Sequence, residues 1–453
     1  MRLHCRERAS EYGFSIWELA VHQRHSAGAR TAEAWLDFAA RLLAERRRWG
    51  QGQLRAAIFI SGSRGDFQPA IALAVRLRSR GWLIRVFTPH PHHDPNVELA
   101  LSFKLDVESH FVLSTAYEAI KTFMPNVMLH QWSMSPLCWV CEEQLGIPAV
   151  EYAFWPTPPW TAWARFLEIF VAKQALDRRL GVETLPELSE AYVFDQLWRK
   201  RPVLYAFSGD VAESRKYWPE PTATAGFHLT GYWVLDPDQQ KDELQKANRF
   251  FGGESGPRLR AFLAAGPPPV YMGWGSMTAV TEEVSHNFLA QLAVRSLRMA
   301  GKRGIILGSY TDMNAEALHM APDAKDLLAY SKANVLWLRW APHEWLMPRC
   351  CTVVHHGGCS TTATSLRAGR PTVVTPIFID QFYWGSQVAR TGAGVRTKRL
   401  PEMTATDLME ALRSCEQPSV VSGAAALAER LKLENGTARA EEWLRTFLQL
   451  QGQ

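Results

Sequence analysis

The stretch Trp340–Gln381, WAPHEWLMPRCCTVVHHGGCSTTATSLRAGRPTVVTPIFIDQ, decides the fold of the C-terminal half. Its apolar run at 352–355 predicts a short strand, the Ser/Thr-rich run at 360–368 a helix, and the apolar run at 372–376 a second strand. Glycines let a backbone approach a ligand closely, and a helix N-terminus offers unpaired N–H groups and a positive dipole end. The turn between the first strand and the helix therefore predicts a pyrophosphate site.

An acid–amide pair ends the same stretch. Asp380 and Gln381 follow the second predicted strand and its terminal Pro376. In open parallel sheets, ligands bind outside the carboxyl ends of the strands, and both the histidine turn and this pair fall there. The sequence therefore predicts that the turn and the pair line one site.

A second strand–loop–helix unit lies in the N-terminal half. Residues 56–61 predict a buried strand, followed by the loop GSRGD at 62–66 and by a helix with Pro69 in its first turn. Short apolar strands alternate with helical segments from there to residue 208, and again from residue 270 onward. This alternation predicts an α/β fold of two Rossmann-like domains, each built on a parallel sheet, that face each other across a cleft.

The domain boundaries follow from this alternation. Residues 1–53 are expected to form a helical N-terminal extension, 54–235 the first domain, 236–256 a polar linker and 257–453 the second domain. The extension ends in a basic run with a tryptophan. A solvated helix face is the preferred interpretation of that run, and contact with a membrane surface is the alternative.

Length and composition exclude several classes of protein. A chain of 453 residues is too long for one ordinary core, and 47% hydrophobic with 21% charged residues indicates a folded protein. The net charge of +5 is mild and the basic residues are scattered, so nucleic-acid binding is not expected. The sequence shows neither an apolar run of membrane-spanning length nor a signal peptide. A cytoplasmic location is expected, with peripheral membrane contact left open.

Cysteine and tryptophan usage adds two expectations. Seven cysteines, an odd number in a long chain, indicate reduced thiols, and the CxxC of Cys138 and Cys141 is expected to be two buried thiols on a helix. Eighteen tryptophans are unusual. Core packing explains most of them, and a large apolar pocket is the functional alternative for one cluster. That cluster is Trp132, Trp139, Trp155, Trp160 and Trp163.

The ordered motifs resemble UDP-sugar-dependent glycosyltransferases of the GT-B fold, above all sterol 3-beta-glucosyltransferases and bacterial glycosyltransferases of antibiotic aglycones. That family carries PHxWLFPR, HHGGxGTT and a DQ pair. This chain has PHEWLMPR at 342–349, HHGGCSTT at 355–362 and then Asp380-Gln381. GSRGDFQP at 62–69 matches the family's GSRGDxxP. The resemblance covers about residues 55–450.

By this resemblance, the C-terminal domain binds the donor, and its final helix crosses back to brace the N-terminal domain, with Trp443, Leu444, Phe447 and Leu448 as the expected packing face. The implied roles are uracil binding around the PH dipeptide, diphosphate binding at the second histidine, the turn after it and a GS serine, and binding of sugar hydroxyls at the acid–amide pair. The implied donor-binding residues are Ser276, Trp340, Ala341, His343, His356, Gly357, Gly358, Ser360, Thr361, Thr362, Asp380 and Gln381.

One residue departs from the family pattern. Ser360 stands where the usual motif has glycine. If that position requires φ > 0, a serine strains the loop, because side chains disfavour that backbone conformation. The expected consequence is weaker donor binding rather than a different fold.

The resemblance also assigns the chemistry. Asp66 is expected to be the general base for the acceptor hydroxyl, which requires partial desolvation because an ordinary carboxylate is a weak base. Capping of the following helix is the alternative role of Asp66. His356 and helix N–H groups are expected to stabilise the departing diphosphate. The candidate acceptor-binding residues are Ser63, Arg64, Trp132, Trp155 and Trp160.

The implied function is an inverting, metal-independent transfer of a hexose, first of all glucose, from a UDP-sugar to a hydroxyl of a sterol or similar lipid, without a cofactor. One alternative is a polyketide, peptide or phenolic aglycone as acceptor. Another is a non-catalytic accessory protein that has lost donor binding, for which Ser360 is the one hint. Asp236-Pro237-Asp238 formally matches a metal-binding DxD, but its place in the linker argues against that role.

Overall fold

A computed structural model describes most of the chain. It covers residues 52–91, 94–109, 113–156, 201–212, 226–235, 253–276, 284–309, 313–377 and 380–451. The predicted N-terminal extension up to residue 51, the linker up to residue 252, Trp160 and Trp163 lie outside the described residues.

The N-terminal half contains a seven-stranded parallel sheet with the order β3-β2-β1-β4-β5-β6-β7. Most of its strands are apolar on both faces, as expected of a parallel sheet covered by helices on both sides. Its strands are β1 Arg55–Phe59, β2 Leu83–Thr88, β3 Asp106–Ser109, β4 Val127–His130, β5 Ala149–Ala153, β6 Pro202–Tyr205 and β7 Gly226–Leu229.

The C-terminal half contains a six-stranded parallel sheet with the order β10-β9-β8-β11-β12-β13. Its strands are β8 Val270–Gly273, β9 Gly304–Leu307, β10 Val335–Leu338, β11 Thr352–His355, β12 Thr372–Val374 and β13 Gly394–Arg396. Both sheets reverse their strand order once, between β1 and β4 and between β8 and β11. The prediction of two parallel α/β domains is thereby confirmed.

Helices alternate with these strands. In the N-terminal half they are α1 Arg64–Ser79, α2 Pro95–Ser102, α3 Leu113–Phe123 and α4 Ser135–Leu145. In the C-terminal half they are α5 Gly256–Ala264, α6 His286–Ala300, α7 Ala324–Asn334, α8 His343–Leu346, α9 Cys359–Arg367, α10 Asp380–Arg390, α11 Ala405–Ser414, α12 Pro418–Lys432 and α13 Gly436–Gln451. Across the described ranges, no helix combines the length and the apolar character that a membrane span requires.

Helix α1 begins earlier than the sequence indicated. Ser63 caps its N-terminus, and the Asp66 side chain accepts the Ser63 N–H at 2.8 Å, so the two residues form a capping box. Pro69 consequently lies inside the helix and not in its first turn. The prediction for Pro69 was wrong because the capping box starts the helix upstream of the proline.

The C-terminal helix α13 crosses back to the N-terminal half, as the family resemblance implied. The predicted packing face joins the same hydrophobic core as β1 and α1. Glu441 of α13, with 5% of its side chain exposed, accepts a hydrogen bond from Arg76 Nε at 2.9 Å and lies 3.5 Å from Arg80 Nε. The predicted packing face is Trp443, Leu444, Phe447 and Leu448.

Three smaller predictions can be compared with the structure. Cys138 and Cys141 are buried free thiols of α4, as predicted. The formal glycosylation sequon Asn435-Gly436-Thr437 is typical of a helix stop and cap, and Asn435 accepts the Ala438 N–H at 3.0 Å and so caps α13. The end of the predicted linker 236–256 needs correction: residues 253–255 form a 3-10 turn and α5 begins at residue 256, because Pro257 suits the first turn of a helix.

Candidate active site

The predicted site residues gather at the two points where strand order reverses. The loop with Asp66 follows β1, and Gln131 follows the neighbouring strand β4. In the other sheet, Ser276 follows β8 and His356 follows the neighbouring strand β11. Ligands of open α/β sheets bind at such reversal points, because the loops there diverge and leave a crevice. Each half therefore brings one predicted constellation to its own crevice.

His355 holds the histidine turn in shape. Its Nδ1 accepts the Gly357 N–H at 2.9 Å, so the ring proton lies on Nε2, which donates to Ser365 Oγ at 3.2 Å. Ser365 Oγ in turn donates to the Thr362 carbonyl at 3.0 Å. Burial holds the pKa of His355 well below its ordinary value, and the neighbouring histidines lower it further. The sequence analysis gave this residue no role of its own, and its contribution is structural.

His356 is oriented differently from His355. It is 9% exposed, and its buried Nδ1 has no hydrogen-bond partner among the described residues. A Cβ on Gly275 would lie 3.3 Å from His356 Cε1, and a Cβ on Gly358 would lie 2.5 Å from Nε2. Burial lowers the pKa of His356 to about 4, so the ring is neutral at pH 7. A neutral imidazole packed between two glycines can donate one N–H to a bound anion.

The turn after His356 depends on a glycine. Gly357 has a φ of 98°, and a Cβ there would lie 2.7 Å from Val374 Cγ1 and 2.9 Å from the Gln381 carbonyl oxygen. Gly358 is the N-cap of α9 and contributes no capping side chain. The first N–H groups of α9 therefore face the turn, which is the arrangement that suits a phosphate.

The predicted serine and threonines of this turn have different environments. Ser360 is the second residue of α9, and its φ is not positive, so the expected strain from serine is wrong. The family glycine is unnecessary here because the left-handed residue is Gly357. Thr362 is fully buried, and its hydroxyl donates to the Gly358 carbonyl at 3.0 Å. Ser360 and Thr361 are half-buried in the first turn of the helix.

Asp380 and Gln381 open helix α10. Burial, followed by the charge of Asp66, raises the pKa of Asp380 to about 7. The electrostatic influence of Asp66 means that the acid–amide pair lies near the GSRGD loop of the other half. Gln381 is 3% exposed, and its Oε1 accepts the Ile377 N–H at 2.8 Å. This bond orients the glutamine amide and ties α10 to the loop after β12.

The residues predicted to hold the nucleotide base follow β10. Trp340 is 8% exposed and Ala341 is fully buried. His343 forms a 3.0 Å hydrogen bond between its Nε2 and the hydroxyl of Tyr271, a contact that the sequence analysis missed. Desolvation, followed by the nearby charge of Arg64, lowers the pKa of His343 to about 3. His343 is therefore a neutral residue that Tyr271 holds in place.

Arg64 does not lie with the acceptor residues alone. Its guanidinium carbon is 5.5 Å from the centre of the Trp340 ring, on the opposite half, and its Nε donates to Gln68 at 3.2 Å. The side chain reaches a predicted base-binding residue because α1 begins at Arg64, at the cleft. The acceptor-binding role of Arg64 stays a prediction. Ser63, beside it, serves as the N-cap of α1.

Asp66 takes part in capping α1, and its role as general base stays a prediction. Its Oδ2 accepts from the Ser63 N–H, and its Oδ1 accepts from Gln131 Nε2 at 3.2 Å. Burial raises the pKa of Asp66, and its hydrogen bonds oppose that rise. Gly62, with a φ of 102°, has no room for a side chain, since a Cβ would lie 2.4 Å from Asp66 Oδ2. The carboxylate that completes the capping box of α1 is thus desolvated and lies at the crevice.

The predicted cluster of tryptophans is spread over different environments, unlike the residues of the histidine turn. Trp132 is 38% exposed directly after Gln131, and Trp155 is half-buried against the hydrophobic core. Trp139 is buried, and Arg201 lies over its ring at 4.9 Å. A cavity of about 10 Å³ between the halves is too small for an aglycone. Its lining includes Phe154, Tyr232, Trp233, Cys359 and Ser360.

The two crevices meet. A Cβ built on Gly65 would lie 3.9 Å from Ser360 Cβ, so the GSRGD loop contacts the first turn of α9 directly. Two parallel α/β domains that face each other in this way, one with a phosphate-type turn and one with a buried carboxylate, define the class of GT-B glycosyltransferases.

Comparisons with known proteins agree with this class. Residues 304–435 match the family of the erythromycin biosynthesis protein CIII-like C-terminal domain. The chain is 26% identical to O-mycaminosyltylonolide 6-deoxyallosyltransferase of Streptomyces fradiae, over 87% of this chain and 98% of that protein. It is 26% identical to vancomycin aglycone glucosyltransferase of Amycolatopsis orientalis, over 85% and 96%. It is 27% identical to a sterol 3-beta-glucosyltransferase of Arabidopsis thaliana, over 85% of this chain but only 64% of that protein.

Solved structures show the same fold. The calicheamicin glycosyltransferase CalG4 superposes with a TM-score of 0.61 at 13% identity, covering 88% of this chain and 99% of that one. The glycosyltransferase VinC, solved in complex with dTDP, superposes with a TM-score of 0.56 at 18% identity, covering 87% and 99%. The chain is therefore a glycosyltransferase of the GT-B fold, with antibiotic glycosyltransferases and sterol 3-beta-glucosyltransferases among its homologues.

Proposed function

We propose that this glycosyltransferase moves a hexose, glucose first of all, from a UDP-sugar to a hydroxyl of a sterol or similarly bulky lipid, with inversion and without a metal ion. The observation that carries the proposal is the meeting of the two switch-point loops. A Cβ built on Gly65 would lie 3.9 Å from Ser360 Cβ, so the GSRGD loop with Asp66 lies against the start of the helix that suits the donor diphosphate. A base and an anion site on opposite walls of one cleft are what direct glycosyl transfer requires.

In the proposed reaction, Asp66 accepts the proton of the acceptor hydroxyl. The acceptor oxygen forms a bond to the anomeric carbon on the face opposite the diphosphate, and the bond from that carbon to the phosphate oxygen breaks. The electron pair leaves with the diphosphate, whose developing charge is stabilised by the N–H groups at the start of α9 and by His356. Attack on the opposite face inverts the anomeric configuration.

Burial supports the role of Asp66 as a base. Removal from water raises the pKa of the Asp66 carboxylate above its ordinary value, although its hydrogen bonds oppose that rise, so it accepts a proton more readily than an exposed carboxylate. Asp380 and Gln381 are proposed to hold the sugar hydroxyls, and the surroundings of Trp340 the base of the nucleotide. A dTDP-sugar is the alternative donor, because the similar glycosyltransferase VinC was solved with dTDP.

A second class of acceptor competes with the sterol in this proposal. The two antibiotic enzymes are matched over 98% and 96% of their lengths, whereas the sterol enzyme is matched over 64%. That difference favours a polyketide or peptide aglycone as the second candidate. A phenolic aglycone is a further variant of it. A screen of lipid extracts and of aglycones with radiolabelled UDP-glucose separates the candidates by the class of the labelled product.

A non-catalytic accessory protein is the remaining alternative. Its one hint, strain at Ser360, is removed by the helical conformation of that residue. The discriminating experiment measures melting with UDP and UDP-glucose, and slow hydrolysis of UDP-glucose. We expect both ligands to raise the melting temperature, and Asp66→Asn to lose about 10²–10⁴-fold in hydrolysis while still binding UDP. If neither ligand shifts the melt, the transferase proposal is wrong.

A further inference from the structure

Gln131 links the two loops of the N-terminal crevice through its side chain. Its Oε1 accepts the Ser61 N–H at 3.0 Å, and its Nε2 donates to Asp66 Oδ1 at 3.2 Å. The side chain is 7% exposed. Ser61 directly precedes the GSRGD loop, and Asp66, the proposed base, is its last residue. One buried amide therefore contacts both ends of this loop.

The position of Gln131 follows from the sheet register. Phe59, the last residue of β1, pairs with His130, the last residue of β4. Gln131, the first residue after β4, therefore lies beside the loop that leaves β1. The Gln131 carbonyl accepts the Met134 N–H at 2.9 Å, and this bond fixes the backbone at the end of the strand.

The two partners also determine which way the amide points. A flipped amide would set an NH₂ group against the Ser61 N–H, which is a donor, and an oxygen against the Asp66 carboxylate, which is an acceptor. Both contacts would be repulsive. The side chain is thus an oriented donor to one particular oxygen of Asp66.

The two oxygens of Asp66 are consequently not equivalent. Oδ2 accepts the Ser63 N–H at 2.8 Å and lies 3.4 Å from Ser63 Oγ, whereas Oδ1 accepts the single bond from Gln131. A carboxylate oxygen has two lone-pair positions. Oδ1 therefore retains capacity for an incoming proton.

We propose that Gln131 is a positioning residue that aims Asp66 Oδ1 at the acceptor hydroxyl and keeps the carboxylate ionised. This inference rests on the proposed function and adds a residue to it. In the step concerned, the hydroxyl proton moves to Oδ1 as the acceptor oxygen bonds to the anomeric carbon and the diphosphate leaves with its electron pair. Gln131 keeps its own protons throughout.

The sign of the expected pH effect follows from the bond. A hydrogen bond to the charged form lowers the pKa of a carboxyl, so removing the Gln131 donor raises the pKa of Asp66 above its present value. The acid limb of the rate profile then moves to higher pH. The other titratable groups that influence or face this loop are Asp380 of α10, Cys359 of α9, Tyr152 of β5 and His90 after β2. They are unchanged in every variant below.

The experiment measures hydrolysis of UDP-glucose, with water as acceptor, from about pH 5 to about pH 9 in the full chain. Gln131→Met keeps the volume and removes both hydrogen bonds. Gln131→Glu can still accept the Ser61 N–H but places a second carboxyl against Asp66. The control is Gln387→Met, because Gln387 is a buried glutamine of α10 whose Oε1 accepts a hydrogen bond from Arg390 Nε at 2.8 Å.

We expect the acid limb to move up by about one pH unit in Gln131→Met and by more in Gln131→Glu, since a second negative charge beside Asp66 adds to the effect of the lost bond. The plateau kcat should fall by about 10- to 100-fold, with little change in KM for UDP-glucose, because the base is misaimed and the donor site is intact. Gln387→Met should keep both the limb and the KM.

Each outcome decides between a positioning role and a packing role. A lower rate with an unmoved acid limb in folded Gln131→Met overturns the proposal, as does a wild-type profile. If Gln131→Met does not fold, Gln131→Leu, which also lacks both hydrogen bonds and adds no charge, is measured in its place and decides in the same way. Asp66→Asn is measured in parallel: if it hydrolyses UDP-glucose at the wild-type rate, the base assignment itself is wrong. If Asp66→Asn is inactive and the acid limb of Gln131→Met is unmoved, the positioning role of Gln131 is rejected and the base role of Asp66 stands.

Discussion

Replacing Gly357 by alanine tests the donor turn more directly than any other change. A Cβ at this position would lie 2.7 Å from Val374 Cγ1, 2.9 Å from the Gln381 carbonyl oxygen and 3.2 Å from Gln381 Cα. Two of these three atoms belong to the backbone at the start of α10, which cannot rotate away. The turn must therefore widen, or α10 must shift with its acid–amide pair.

Three contributions determine the expected change in the free energy of unfolding. A φ of 98° costs an alanine about 1–3 kcal/mol as backbone strain, and overpacking at the three contacts adds about 1–3 kcal/mol. Loss of flexibility in the unfolded chain returns about 0.4–1 kcal/mol. The net expectation for Gly357→Ala is a loss of about 2–5 kcal/mol in the free energy of unfolding.

Gly392→Ala is the matched control. Gly392 has a φ of 69°, and a Cβ built on it has no atom within 4 Å, so alanine there adds strain without a clash. The difference between the two variants in urea unfolding isolates the contacts of Gly357, about 1–3 kcal/mol. UDP should raise the melting temperature of Gly392→Ala as in the wild type, and the rise should be largely lost in Gly357→Ala. Equal stability losses in the two variants, together with equal UDP shifts, would refute the reasoning.

Two further predictions concern the charges of the cleft and of the terminal helix. The folded-state pKa of Asp380 is raised to about 7, so ionisation of Asp380 lowers the stability of the fold progressively as pH rises from near 4 through 7. In a pH series of thermal melts, Asp380→Asn should therefore melt at a higher temperature than the wild type above that pH range and at the same temperature below it. Glu441→Gln should lose about 1–3 kcal/mol in urea unfolding, because Arg76 and Arg445 lose charge-assisted hydrogen bonds, whereas the exposed neighbour variant Glu442→Gln should change little.

Buried parallel strands were the most predictable part of the fold. The strand at 352–355 was predicted residue for residue, and helix α9 begins only one residue before the predicted 360. These elements have continuous apolar runs bounded by glycines and polar turns, so local pattern and tertiary environment agree. The strands β3, β7 and β13 were not predicted as strands, because they are partly exposed and have no continuous apolar run.

The candidate site was predictable where a motif names its residues. The histidine turn, the acid–amide pair and the GSRGD loop all lie at strand reversal points. Gln131 and Tyr271 were missed because each acts on a partner far away in sequence, 65 residues for Gln131 and 72 for Tyr271. A glutamine after a strand has no periodicity or spacing that marks it, and only the register of β1 with β4 brings it to Asp66.

The sequence by itself determined the two-domain α/β architecture and the class of enzyme, because apolar strand runs, glycine turns and the ordered motifs are local properties of the chain. Tertiary structure alone decided how those motifs act together. It brought Arg64 to the Trp340 ring of the other half, assigned the left-handed backbone to Gly357 and not to Ser360, and gave Asp66 a desolvated, oriented carboxylate. Burial and hydrogen-bond direction depend on which distant residues meet, and that is fixed only when both sheets are assembled.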